Sequence, residues 1–225
     1  MSIVYIVSAP SGSGKSTLVN ELFKMVRHLD FSISYTTRPP RGSEQNGKEY
    51  FFVSRDKFEA MIAADDFLEH AEVFGNYYGT AKRFLREAEA RGNDLLLDID
   101  VQGASKIKEK IPEAVSIFIL PPDRENLEWR LRNRGLDSEA VIRRRLDTAR
   151  REIENYSKYD YILVNNVLEK SADQLKDIVL SERAQRSGVE LSGEEKRRVA
   201  TAQACRLEQT RERVQPILAS FNPQV

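Results

Sequence analysis

The sequence predicts an α/β fold: a three-layer α/β/α core with a parallel sheet, interrupted by a small inserted domain of mixed β content. Three observations carry this. An apolar run, Ile3–Val7, leads through a Gly/Ser-rich turn into a helical pattern. From Ala81 onward, apolar runs alternate with helical patterns, the βαβα order of a parallel sheet. Between them, residues 32–80 break the rhythm with short elements and many aromatics.

The opening stretch reads strand, tight turn, helix. Ile3–Val7 is too short for an ordinary helix and rich in β-branched residues, while Leu18, Val19, Leu22 and Phe23 recur at helical spacing. Between them Ser8-Ala9-Pro10-Ser11-Gly12-Ser13-Gly14-Lys15-Ser16-Thr17 fits a phosphate-binding loop, with Ala9 where the first glycine usually stands. Gly12 and Gly14 allow backbone angles that turn successive N–H groups toward one anion. The helix that follows points its positive end at the same place. Lys15 adds a full charge near the β- and γ-phosphates of a nucleoside triphosphate, and Ser16 offers a hydroxyl to Mg²⁺.

Length and composition bound the rest. The 225 residues suffice for one sizeable core with small insertions. Lys plus Arg and Asp plus Glu both number 35, so no global charge draws the chain to nucleic acid or an anionic membrane. A basic site must therefore be local. Cys205 is the single cysteine, which excludes an internal disulfide and suits a reducing compartment. No basic-then-apolar leader and no apolar run of about 20 residues is present, so a cytoplasmic location without membrane contact is expected.

The remaining elements follow in order. Within the insert, Ser32–Thr36 alternates as a strand, Arg38-Pro39-Pro40-Arg41-Gly42 is a loop, and Tyr50–Val53 is a strand. Asp56–Ala64 is a short helix, Phe67–Phe74 a strand, and Gly75–Thr80 a turn. A helix over Ala81–Arg91 stops at Gly92. Leu95–Asp100 is a buried strand ending in acids. Helix Gln102–Ile111 and strand Val115–Leu120 come next. Asp123 caps a helix to Arg134, and Ser138 caps another to about Tyr156. Strand Tyr161–Val164 precedes a helix over about 171–187. The tail, 188–225, carries a capping box at Ser192 and Glu195 and a thin apolar stripe of Ala200, Ala204, Leu207, Val214 and Leu218. It is either a solvated charged helix or one that packs on the core or on another subunit.

Several constellations carry chemistry. Asp98 and Asp100 end a strand beside the phosphate loop, two apart and so on one side of it. In such proteins an Asp at this place holds Mg²⁺ directly or through water, although the pair can also just end the strand and cap the next helix. Arg38 and Arg41 on the Pro/Gly loop can converge on one phosphate, with phenolic hydrogen bonds from Tyr50 and Tyr78. Arg130, Arg132, Arg134 and Arg143–Arg145, read alone, are solvated partners for Glu125, Glu128 and Glu139. His28, His70 and Cys205 have no catalytic context.

The run Thr36-Thr37-Arg38, Arg41, Glu44, Gly47, Tyr50-Phe51-Phe52 resembles the signature of guanylate kinases. The phosphate loop, Leu97-Asp98-Ile99-Asp100, Gly75–Thr80 and Arg132-Asn133-Arg134-Gly135 resemble that family in the same order and spacing, over roughly residues 3–185. The resemblance implies transfer of the ATP γ-phosphoryl group to GMP with Mg²⁺. It implies a core of residues 1–31, 81–122 and 148–187, a GMP-binding domain at 32–80, a helical lid at 123–147 and a separate tail. It puts Ser34, Glu69 and Thr80 on the guanine base, and Arg38, Arg41, Tyr50 and Tyr78 on the GMP phosphate. Ala9 to Thr17 would hold the ATP phosphates, with Ser16, Asp98 and Asp100 at the metal and the two acids also near GMP. Arg134 and Arg145 would reach ATP, Asn165 would lie near adenine, and Lys15, Arg38, Arg134 and Arg145 would carry the catalysis. Asn166, where the family often has Asp, is given no role. A homo-oligomer through the tail is expected from bacterial relatives. The alternatives are a phosphate-loop kinase for another nucleotide or small acceptor, and a non-catalytic phosphopeptide-binding module of guanylate-kinase type, whose phosphate loop is usually degraded.

Overall fold

The computed structural model describes residues 2–73, 75–133, 138–188 and 190–222. Five strands belong to one parallel sheet, in the order β2 (Leu29–Ser32), β7 (Asp94–Asp98), β1 (Val4–Ser8), β8 (Val115–Leu120), β9 (Tyr161–Val164). A second, four-stranded sheet has the order β4 (Phe51–Phe52), β3 (Tyr35–Thr36), β6 (Asn76–Ala81), β5 (Phe67–Val73). The predicted α/β class is thus the observed one. The chain divides into two compact units, Met1–Val7 with His28–Val115, and Ser8–Arg27 with Ser116–Val225.

In the first unit, β1 and β7 pair in parallel, Val4 opposite Leu95 through Val7 opposite Asp98, and both are buried apart from Asp98. Residues buried on both faces need no polar alternation, which is why these strands read as continuous apolar runs. Asp94 is the exception, and its carboxylate accepts from the Ile3 N–H at 2.8 Å. Helices α3 (Lys82–Arg91) and α4 (Val101–Lys110) follow β6 and β7. The second sheet closes over its own core of Tyr35, Phe58 and Phe67, with Phe51, Tyr77 and Phe84 packed against it and α2 (Arg55–Ala63) supplying Phe58.

Three expectations for this unit are corrected. The predicted strand at Ser32–Thr36 is two: β2 ends at Ser32 in the parallel sheet, and β3 starts at Tyr35 in the other. Leu29-Asp30-Phe31-Ser32 is half polar because it is an edge strand, whose Asp30 binds Arg91 at 2.7 Å and Asn93 at 3.0 Å. The predicted turn at Gly75–Thr80 is mostly strand β6, antiparallel to β5 from Val73 opposite Asn76 to Phe67 opposite Ala81. Gly79 is there for packing: a Cβ would stand 2.8 Å from the Phe67 ring. Asp100 does not lie on a strand with Asp98. It is the N-cap of α4, and its side chain accepts from Gly103 N–H at 2.8 Å.

In the second unit, β8 and β9 pair in parallel. Helices α1 (Lys15–Met25) and α7 (Leu168–Ser187) pack together. Helix α5 (Arg124–Asn133) is capped by Asp123, which accepts from Asn126 N–H at 2.7 Å. Its predicted end at Arg134 and Gly135 lies outside the described residues. Helix α6 (Glu139–Ile153) has Ser138 at its N-cap position without a side-chain cap bond. The tail forms α8 (Gly193–Gln203), with the predicted capping box, and α9 (Leu207–Ser220), which contains Pro216. Of its two readings, packing on the core holds: α8 lies on α7, and α9 on α5 and β9. The apolar stripe is set differently from the one read in the sequence. Ala200 and Ala204 are exposed, while Ala202, Cys205, Val214, Ile217 and Phe221 are buried.

Candidate active site

In the second unit the Gly/Ser-rich loop and the helix after it are built as their sequence requires. Gly12 and Gly14 have φ of 96° and 88°, the left-handed region that side-chain-bearing residues avoid. Ser13 N–H closes a turn on Pro10 C=O at 3.1 Å, and Gly14 C=O accepts the first helical bond from Leu18 at 3.1 Å. Lys15 opens α1 and is half-buried, and the Ser16 hydroxyl belongs to an exposed residue of the first turn. Ser11 and Thr17 are exposed, Pro10 is buried and Ala9 half-buried.

A clamp holds this loop from behind. Asn165, directly after β9 and 5% exposed, donates from Nδ2 to Ser13 C=O at 2.8 Å. Arg130 of α5 donates to the same carbonyl at 3.3 Å and to Asn165 C=O at 2.8 Å. Burial lowers the Arg130 pKa against a smaller opposing effect of Asp123. Holding the Ser13 carbonyl fixes the peptide plane that carries the Gly14 N–H, directly before that of Lys15. A Cβ on Gly12 would meet the Leu131 side chain at 2.9 Å, and one on Gly14 the Asn165 Nδ2 at 2.4 Å. Asn165 therefore reaches the loop itself. Arg130, read in the sequence as a solvated face, is a loop anchor, whereas Arg132 is the expected surface partner of Glu128 and Glu139, at 2.7 and 2.5 Å. Arg145 is half-buried on α6, and Arg134 lies outside the described residues.

In the first unit, two groups of predicted residues come together. Arg38 is 7% exposed, its guanidinium donating to Glu44 at 3.0 Å and to Pro39 C=O at 2.8 Å. It lies 5.4 Å from the centre of the Tyr50 ring, and Tyr50 and Tyr78 meet edge to face at 5.9 Å. Burial opposes the Arg38 charge, but Glu44 and Tyr78 outweigh it and raise the pKa. Burial, with Asp98 next in weight, pushes the Tyr50 phenol up to about 12, so it stays a donor. Glu44 also accepts from Arg41 N–H at 2.8 Å, while the Arg41 side chain belongs to an exposed residue. Glu44 is thus the residue that shapes this loop; the sequence showed it only as part of a motif.

The second group centres on Glu69, 6% exposed, whose Oε1 accepts from the Thr80 hydroxyl at 2.7 Å. Burial raises its pKa, and the Thr80 bond and Lys106 hold it back while Asp100 pushes further. Oε2 stands 3.1 Å from where a Cβ on Gly103 would be. Ser34 is half-buried, its carbonyl accepting from Phe51 N–H at 2.9 Å. Asp98 ends β7 half-buried.

Comparison with known proteins agrees with this geometry. The guanylate kinase family model matches residues 1–182. A guanylate kinase of Koribacter versatilis is 61% identical over 221 residues, covering 97% of this chain and 95% of that protein. One of Escherichia coli is 50% identical over 186 residues, covering 82% and 90%. The crystal structure of a guanylate kinase from Anaplasma phagocytophilum aligns with a TM-score of 0.68 at 37% identity, over 80% of this chain and 86% of that one. The chain belongs to the guanylate kinase family.

Proposed function

We propose that this chain transfers the γ-phosphoryl group of ATP to GMP, giving ADP and GDP, with the roles below. The observation that carries the choice of acceptor is the buried Glu69 carboxylate held by Thr80. Guanine presents N1–H and N2–H₂ as adjacent donors, which one carboxylate accepts in parallel. Adenine offers a bare N1 there and meets the carboxylate with lone pair against charge. A site built to hydrogen-bond its substrate rejects the analogue lacking those groups by about 10⁴–10⁵ in favourable cases. Thr80 and Ser34 serve the other edge of the base, and Arg38, Arg41, Tyr50 and Tyr78 hold the GMP phosphate.

The phosphate loop from Ala9 to Thr17 takes the ATP phosphates, with Lys15 beside the one that moves. Arg134 and Arg145, in a lid at 123–147, neutralise charge on the transferring group, and Asn165 borders the adenine end. The acceptor oxygen is already anionic near neutral pH, so no general base is needed. The work is alignment and charge neutralisation. A lid that closes over two phosphates also excludes water as a rival acceptor.

Ser16, Asp98 and Asp100 are the candidate holders of Mg²⁺. Their donors are all hard oxygens, as Mg²⁺ requires. Among the described residues no group of three or more His, Cys, Asp or Glu forms a cage. Bound there, Mg²⁺ would supply positive charge against that of the phosphates. Asp100 has one oxygen committed to capping α4, which leaves its other oxygen for the ion.

We place the reaction in the cytoplasm, consistent with a lone, buried cysteine. Among the described residues no helix is long and apolar enough to cross a membrane. Self-association through the tail has weaker support, because its Val214, Ile217 and Phe221 are buried and α9 lies on α5 and β9 of this chain. A coupled assay offering GMP, AMP, UMP and CMP with Mg-ATP tests the reading. Turnover with GMP alone is expected; equal turnover with AMP would sink it.

A further inference from the structure

Strand β5 is an edge of its sheet, and an edge leaves carbonyls without ladder partners. Two of them are taken by α4. Lys110 Nζ donates to Leu68 C=O at 2.5 Å, and Lys106 Nζ donates to His70 C=O. Glu69 is the residue between. The pairing of β5 with β6 also slips between Phe67 and Glu69, so Leu68 is the extra residue of a bulge. A bulge re-aims the side chains beside it, and an unsupported one on an edge leaves that aim loose.

Lys106 and Lys110 are one helical turn apart, and Gly103 lies one turn before Lys106, so all three share a face of α4. At Gly103 an added Cβ would stand 3.1 Å from Glu69 Oε2. The face of α4 thus holds β5 on both sides of Glu69 and leaves room at Gly103 for its carboxylate. Burial, and after it the two ammonium groups, lowers the His70 imidazole pKa.

We infer that Lys106 and Lys110 are positioning residues for Glu69: by holding the carbonyls on either side of it, they set where its carboxylate meets a purine base and so govern selection for the 2-amino group of guanine. This rests on the reading of Glu69 as the base-reading group. Both ammonium groups are engaged with backbone carbonyls of β5.

The test compares the full chain with Lys106→Met/Lys110→Met, Lys106→Arg/Lys110→Arg and Glu69→Gln, in steady-state assays with GMP and with IMP, which lacks the 2-amino group. For the double Met variant, KM for GMP should rise about tenfold while kcat and KM for ATP stay within about twofold. Its GMP-over-IMP ratio of kcat/KM should fall toward that of Glu69→Gln, and the double Arg variant, which can still donate to the carbonyls, should recover both. A double Met variant with wild-type KM and ratio, beside a Glu69→Gln variant that changes both, overturns the inference and leaves the base-reading role standing. A Glu69→Gln variant that changes neither overturns the base-reading role, and the inference with it. Should the double Met variant melt early, the single Lys106→Met chain is read instead. A parallel rise of KM for GMP and ATP, with the GMP-over-IMP ratio unchanged, would mean general loosening and would also overturn it.

Discussion

The side-chain amide of Asn165 donates to the carbonyl of Ser13 at 2.8 Å and occupies the space where a side chain on Gly14 would begin. The two facts make one prediction. Gly14→Ala would place a Cβ 2.4 Å from Asn165 Nδ2 at a φ of 88°. The left-handed backbone alone costs about 1–2 kcal/mol, and Asn165 cannot withdraw without releasing Ser13. The variant should melt earlier and bind ATP more weakly, with KM for GMP unchanged. A melting curve and a pair of KM values check it; an unaltered KM for ATP would refute the clamp.

Lys15→Ala should severely slow phosphoryl transfer while GMP still binds, because the two residue sets lie in different units of the chain. Removing one group that stabilises transition-state charge costs about 10²–10³ in kcat. Isothermal titration with GMP alongside turnover separates the effects. Near-normal turnover would remove Lys15 from the mechanism.

Glu69 makes folding and binding respond to pH in opposite directions. Its pKa is raised in the fold, chiefly by burial, so between the unfolded and folded values the native state holds the extra proton. That contribution to stability is complete below the unfolded pKa and is lost as pH rises through the folded one. The nucleotide-free protein should therefore gain from this group on acidification. GMP binding needs the carboxylate, so KM for GMP should rise as pH falls through the same value. Glu69→Gln should flatten both trends, melt no lower than the parent at neutral pH, and weaken GMP. The loss should be about 1.5–3 kcal/mol for each charged hydrogen bond removed.

What the sequence disclosed follows from range. The phosphate loop was legible because its glycines, lysine and flanking periodicities lie within one short stretch. Arg130 was not, since its partner Ser13 is 117 residues away, and at i,i+4 spacing any helical arginine looks like a surface ion-pair partner. The identity of Glu69 as a site residue came from resemblance, but its aim depends on the bulge at Leu68 and on lysines of another element. Strand β2 was missed because four residues, half of them polar, carry little periodicity until β7 pairs with them. Strand β6 was hidden by a glycine that marks ring packing where a turn is the commoner reading.

Tyr161 on the edge strand β9 donates its hydroxyl to Glu182 at 2.5 Å, and Arg206 from the tail donates to the same oxygen at 2.8 Å while lying over the Tyr161 ring. Beside it, Ile162 N–H donates to Cys205 C=O at 2.8 Å, so the link between α8 and α9 covers an otherwise open sheet edge. Truncation after Ser187 removes the arginine and leaves the Glu182 side chain, 9% exposed, with Arg186 at the longer distance of 3.6 Å. Breaking a buried charge pair by removing one partner costs about 3–5 kcal/mol. At this chain length, about 3 kcal/mol corresponds to a fall in Tm of roughly 6–12 °C. Arg206→Met, which keeps the apolar stem on the ring, should reproduce part of that fall. Both variants should retain kcat and both KM values within about twofold, since neither touches the phosphate loop or the Glu69 and Arg38 groups. A truncated chain that melts with the full one would show that the edge needs no cover. One that loses turnover while keeping its Tm would place the tail in the chemistry.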